Sequence, residues 1–198
     1  MHPIPSRLFA TALAAIWTVP NPEMMLTIPA HLTAYQGFDA LFHATEGYIA
    51  NVATPLSDAY ALKSIELLAK YLPAAVKDGS DLEARTQVAL ASTLSGMVES
   101  TSCCTSEHGM EHALSAFYPK LPHGAGLIMI SKAFSEFFIE KHACDGQFIK
   151  MARAMGIPEA DKPEDFISGD ERPVRRNPLI TSILYYSKDV ESFGTGLK

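Results

Sequence analysis

Between about residues 36 and 155, apolar side chains recur with the period of a helix almost without interruption, and strand-like alternation is hard to find before residue 160. A chain patterned this way must bury each amphipathic stripe against another, so the expected fold class is all-α, a helical bundle. Pro55 follows Thr54 where a first helical turn tolerates proline, and SDAYALKSIELLAKYL puts Ala59, Leu62, Ile65, Leu68 and Leu72 on one face. Gly79 reads as a stop signal. Ser80-x-x-Glu83 reads as a capping box opening a helix that carries Val88, Leu90, Leu94 and Met97. After Pro122-His123-Gly124 comes a helix with Phe134, Phe137 and Phe138 as bulky core pieces, then a shorter one around Phe148 to Met155.

The flanks are different. Arg7 is followed by an apolar run from Leu8 to Val19 whose length suits the hydrophobic part of a secretory signal and is too short to span a bilayer. No small-x-small cleavage site follows, so the expectation is an ordinary amphipathic or disordered N-terminal segment and no membrane partner. Beyond residue 165 stand Pro173, Pro178 and the β-favouring ITSILYY, a tail with no helix period. Three cysteines, two of them adjacent (Cys103 and Cys104, with Cys144 apart), form neither a disulfide framework nor a CxxC pair, which fits a reducing cytoplasm. With 16 Lys and Arg against 22 Asp and Glu, the net charge of -6 argues against a nucleic-acid partner, and the densest basic cluster, Arg172, Arg175 and Arg176, is broken by Pro173. Gly124-Ala-Gly126 is a lone GxG and carries no nucleotide signal.

Chemistry gathers in three places. Asp39 and His43, in GFDALFHATEGY, are four residues apart, so on a helix their Cβ atoms stand about 5 to 6 Å from each other. His108 and His112, in SEHGMEHAL, repeat that spacing, and His123 follows at a Pro-His-Gly turn. One carboxylate with three or four imidazoles suits a first-row cation such as Fe(II) or Zn(II), where Mg or Ca would ask for more oxygens. A helix-surface ion pair is the plainer reading of either pair taken alone. A competing metal reading is the inverted zinc-protease motif H-x-x-E-H at His108 to His112, with Glu111 as general base and Glu191 as the kind of acidic third ligand available; it leaves Asp39, His43 and His123 without a task.

GFDALFHATEGYIAN, TPLSDAYALKSIELLAKYLPAAVKDGSDLEAR and HGMEHALSAFYPKLPHGAG together resemble the C-terminal helical domain of the iron-containing (group III) alcohol dehydrogenases, over about residues 22–165. The resemblance implies a bundle of the dehydroquinate synthase-like type, with an atypical segment at 1–21 before it and the tail at 166–198 after it. It implies Asp39, His43, His108 and His123 as ligands of Fe(II), with Zn(II) as the other candidate. It further implies His112 as a catalytic residue lining the substrate cleft, and Leu32 in the segment flanking the cofactor. The activity implied is hydride transfer between a small alcohol or aldehyde and NAD or NADP, with the substrate oxygen on the metal. In such enzymes a dinucleotide-binding α/β domain with a Gly-rich pyrophosphate loop precedes the helical block, and no such loop occurs here, so the chain reads as a fragment in which dinucleotide binding is doubtful. The spacing from His108 to His123 is one residue longer than the commonest form of the motif. A non-catalytic metal-binding or interaction fragment is the alternative, and a homo-oligomer is compatible with either.

Overall fold

The first long helix, α1 (Ala30–Ile49), buries 13 of its 20 residues, and its sequence explains why the others gather around it. Apart from the exposed His31 and Gln36, and from Asp39, His43 and Glu46, it is apolar or small all round, and a helix of that kind is stable only inside a bundle. The structure is a computed structural model that describes residues 21–167. After α1 come α2 (Pro55–Lys77), α3 (Leu82–Thr101), α4 (Glu107–Phe117), α5 (His123–Glu140) and α6 (Asp145–Ala154), with 3-10 turns at Pro22–Met25 and Pro163–Phe166. No strand occurs among the described residues. Helix α1 packs on α2, α3 and α5; α2 and α3 pair along their length; α4 lies against α5. The expectations for residues 1–20 and 168–198, Glu191 included, fall outside the described residues.

Local signals set most of the boundaries. Thr54 and Ser57 form a reciprocal capping box ahead of Pro55 at the start of α2. At α3 the cap is one residue later than the sequence pattern predicted: Asp81 accepts from the Ala84 amide at 2.9 Å, while Ser80 donates to Asp78. The buried stripes are also smaller than the apolar pattern implied. Ile65, Leu68 and Leu72 are core residues, but Ala59 is exposed and Leu62 only half-buried; the α2 stripe runs instead through Ser57, Ala61 and Ser64. Helix α3 buries Ala84, Ala91, Ser95 and Val98 and turns Leu90 and Met97 outward. Small residues on these faces let the helices approach closely. Ser64 Oγ donates to the Ala91 carbonyl and Ser95 Oγ to the Ala40 carbonyl, so hydroxyls fasten α1, α2 and α3 together. Phe134 is buried and Phe138 half-buried, whereas Phe137 points outward.

Arg85 pins the entry to α1. It is buried, and its guanidinium donates to Thr33 Oγ1 at 2.6 Å and to the Ile28 and Gly79 carbonyls at 3.0 Å each, tying the loop before α1 to the turn between α2 and α3.

The approach of α5 is fixed by two glycines in its first turn. A Cβ on Gly124 would run into the Tyr35 backbone carbonyl of α1, and one on Gly126 would come within 2.6 Å of Glu111 Oε1 on α4. Backbone cannot yield as a side chain can, so the lone GxG is a packing device. Gly124→Ala is expected to cost about 1 to 3 kcal/mol through overpacking. Gly96→Ala, at a mid-helix site open to solvent, is expected to gain up to about 1 kcal/mol. Urea midpoints of the two variants check this, and equal midpoints would remove the backbone clash as the reason for glycine at 124.

Candidate metal centre

Helical spacing places Asp39, His43 and Glu46 on one side of α1, at i, i+4 and i+7. Helix α4 presents His108, and α5 begins on His123 with Pro122 as its N-cap, so His123 opens a helix and does not sit on a free turn. The three elements bring these groups to one point. Asp39 Oδ1 lies 3.5 Å from His43 Nε2, 3.2 Å from His108 Nε2 and 3.3 Å from His123 Nε2. A tetrahedral ion with ligand bonds of about 2.0–2.1 Å requires donors about 3.4 Å apart, which the three distances from Asp39 Oδ1 match. Asp39, His108 and His123 offer ligand atoms all within 4.8 Å of one another, and His43 forms a second such group with Cys104 and His108. One carboxylate oxygen and three imidazole nitrogens are also the donor chemistry that Fe(II) and Zn(II) accept.

Each imidazole is held from behind through its other nitrogen. His108 Nδ1 lies 2.5 Å from Glu46 Oε1, His123 Nδ1 is hydrogen-bonded to Glu111 Oε2, and His43 Nδ1 lies 3.2 Å from Cys104 Sγ with Glu99 Oε2 at 3.7 Å. Glu46 and Glu111 are fully buried. Sequence reasoning missed Glu46, Glu99 and Cys104. For Glu46 a signal existed, because it continues the Asp39 and His43 stripe by one more turn; nothing in the sequence announced Cys104 or Glu99.

Glu111, the general base of the H-x-x-E-H reading, has both of its oxygens engaged inside the protein, by Ser115 and by His123. It has no face left for a water and a peptide. His112 is exposed, with its ring stacked on that of His123 at 5.5 Å between centroids and 6.4 Å from that of His108. Leu32 lies two turns before Asp39 on the same side of α1, 39% exposed, and joins none of these contacts.

Electrostatics follow from this crowding. Burial opposes charge on His108, but hydrogen bonds to Asp39, Cys104 and Glu46 outweigh it and push the imidazole up to about 12. His43 moves the other way, held below its ordinary value by burial and by the charge on His108. Burial would raise Asp39 and Glu46, yet the hydrogen bond each makes with His108 brings both below the usual carboxylate range. Glu107, buried beside the Glu46 charge, is pushed up to about 8.

An all-helical domain that converges one carboxylate and three imidazoles from its first, fourth and fifth helices defines a class of candidate mononuclear metal domain. The chain belongs to the iron-containing alcohol dehydrogenase family: a family model described as Fe-containing alcohol dehydrogenase family, C-terminal, matches residues 33–169. Alcohol dehydrogenase 4 of Schizosaccharomyces pombe is 46% identical over 178 residues, covering 89% of this chain and 42% of the relative. The 1,3-propanediol dehydrogenase of Citrobacter freundii is 44% identical over 107 residues, covering 54% of this chain and 27% of the relative. Among solved structures, a 1,3-propanediol oxidoreductase superposes with TM-score 0.70 at 32% identity, covering 85% of this chain and 41% of the other. An archaeal halo-thermophilic alcohol dehydrogenase from a Red Sea brine pool gives TM-score 0.72 at 27% identity, with coverage of 85% and 41%. The chain thus spans about two fifths of the S. pombe relative and of these two structures.

Both His108 nitrogens face carboxylates, so without a cation the ring carries two protons, and a cation on Nε2 must displace one. Titrating Zn(II) at pH 7 in buffers of different ionisation enthalpy is expected to show release of about one proton per metal. Affinity should accordingly rise by up to about tenfold per pH unit between about pH 6 and 8. A pH-independent affinity would take His108 out of the ligand set.

Proposed function

We propose that residues 22–165 are the metal-holding half of an NAD(P)-dependent alcohol dehydrogenase, with residues 1–21 and 166–198 as flanking segments. The observation that carries the reading is the convergence of Asp39 Oδ1 on the Nε2 atoms of His43, His108 and His123 at 3.2–3.5 Å. These four residues would hold a divalent cation, Fe(II) by family membership and Zn(II) by its higher affinity for nitrogen and oxygen donors. When bound, such a cation would supply Lewis acidity, lowering the pKa of an alcohol hydroxyl as it does that of water and polarising a carbonyl.

The remaining work falls to the chain's own side chains. Exposure grades across the site: the His108 side chain is 6% exposed, while those of Asp39 and His123 are 33% and 39% exposed. Substrate therefore approaches from the side of Asp39 and His123. His112, exposed and stacked on His123, stands where its imidazole can take a proton from a hydroxyl or return it through solvent, which is the role assigned to it here. Leu32, exposed on the first turn of α1, is assigned to the flank of the nicotinamide. A small alcohol or aldehyde is the substrate class, in line with the alcohol and diol dehydrogenases named among the relatives. No Gly-rich pyrophosphate loop occurs among the 198 residues, so this chain by itself is expected to hold a dinucleotide weakly. That same feature favours a second reading, in which this chain holds metal without turning over alcohol.

Elemental analysis after loading with Fe(II) or Zn(II) is expected to find one ion per chain in the wild type and loss of most of it in Asp39→Ala and His123→Ala. One ion retained in both variants would place the metal elsewhere. The two readings are separated by hydride transfer from a short primary alcohol to NAD by this chain: family-like turnover would end the non-catalytic one.

A further inference from the structure

We infer that Glu111 is a positioning residue, which fixes the His123 imidazole so that its Nε2 lone pair faces the cation site; this rests on the metal-holding role proposed above. Glu111 is fully buried on α4 and is held on both sides. Ser115, one turn on, donates to Oε1 at 2.5 Å, and His123 Nδ1 is hydrogen-bonded to Oε2. Gly126 closes over the carboxyl from α5, where a Cβ would stand 2.6 Å from Oε1. The carboxyl is thus clamped between two helices before it meets the histidine.

His123 needs such a clamp. Its side chain is 39% exposed, and its ring meets Asp39 through Nε2 and the rings of His108 and His112 at 5.5 Å each. A neutral imidazole carries one N–H, and a carboxylate can only accept. In the cation-bound, neutral ring, that hydrogen, on Nδ1 and donated to Glu111, would leave the Nε2 lone pair for the cation, on the side where Asp39 Oδ1 stands 3.3 Å away. Glu46 treats His108 in the same way, so two rings from two helices are each aimed by a buried carboxylate. Glu46 also binds backbone amides at the start of α4, which makes Glu111 the cleaner test.

The test measures Zn(II) affinity of the full chain by chelator competition, together with the visible absorption of the Co(II)-loaded protein. Glu111→Ala is expected to weaken Zn(II) binding about 10- to 100-fold and to alter the Co(II) bands, with the metal-free helical circular dichroism retained. Glu111→Gln keeps an acceptor oxygen and is expected to recover affinity to within a few-fold of wild type. Added to His123→Ala, Glu111→Ala should cost less than twofold more, because its effect passes through that ring. If Glu111→Ala does not fold, Glu111→Met, similar in length without an acceptor, takes its place in the same cycle. The inference is overturned if loss of Glu111 leaves affinity within twofold of wild type while His123→Ala weakens it, or if the loss is equally large with and without His123. Unchanged affinity in His123→Ala as well would overturn the metal site and this inference together, which separates the two failures.

Discussion

Glu46 is the contact on which the site depends. From the interior of α1 its carboxylate accepts the Thr105 hydroxyl at 2.7 Å, the Glu107 and His108 amides at 2.9 and 3.0 Å, and the His108 imidazole. The amides are among the donors that a helix start leaves without intrahelical partners, and Ser106, which occupies the N-cap of α4, makes no side-chain cap bond. Glu46, 61 positions before Glu107, caps the helix instead. A negative charge at a helix N-terminus is favourable by about 0.3–1 kcal/mol in exposed cases, and hydrogen bonds to a charged group contribute about 1.5–3 kcal/mol each. Helix α4 is therefore secured where α1 supplies its cap, and the same carboxylate orients the His108 ring. Folding of the bundle and assembly of the site share one interaction.

That economy concentrates negative charge. Asp39, Glu46, Glu107 and Glu111 all lie near the cluster, and each buried carboxylate must be paired, hydrogen-bonded or neutral. Asp39 and Glu46 find His108, whose charged form they stabilise. Glu107 takes the remaining course. Its Oε1 has no hydrogen-bond partner among the described residues, it borders a cavity of about 150 Å³ lined mainly by apolar side chains, and its carboxyl is raised to about 8. Because the folded value exceeds the unfolded one, Glu107 is tolerated best at low pH, and stability is lost as pH rises from the ordinary carboxylate range through about 8. A divalent cation among Asp39, His43, His108 and His123 would ease the same excess of negative charge, so metal affinity and stability are linked through one electrostatic balance.

Helical periodicity in the sequence located α2, α3, α5 and α6 because each must bury a face, and Pro55 with Thr54 marked the start of α2, while α1 and α4 were read as helical only through the i, i+4 spacing of their Asp and His residues. It misjudged which residues those faces contain. Leu90 and Met97 look like core side chains, yet α3 turns small residues inward, since close packing against α1 leaves no room for large ones. The cluster of Asp39, His43, His108 and His123 was legible for a different reason: i, i+4 spacing creates a shared face within one helix, and family resemblance joined the separate helices. What supports that cluster was not legible. Glu99 and Cys104 reach His43 only through the folding back of α3 and the loop after it, and the partnership of Glu111 with His123 depends on how α5 docks.

Docking of α5 also explains why the PHGAG block has its composition. His123 must stand at the helix start to reach Asp39 on α1, which draws the first turn of α5 against the Tyr35 carbonyl and the Glu111 side chain. Side chains at 124 and 126 would occupy the space of those two groups, so the glycines follow from the ligand geometry. Pro122, as N-cap, carries no amide hydrogen to leave unsatisfied there. His123, Gly124 and Gly126 are therefore one structural requirement read at three positions: the ring reaches the cluster only if the backbone behind it can lie flush against α1 and α4.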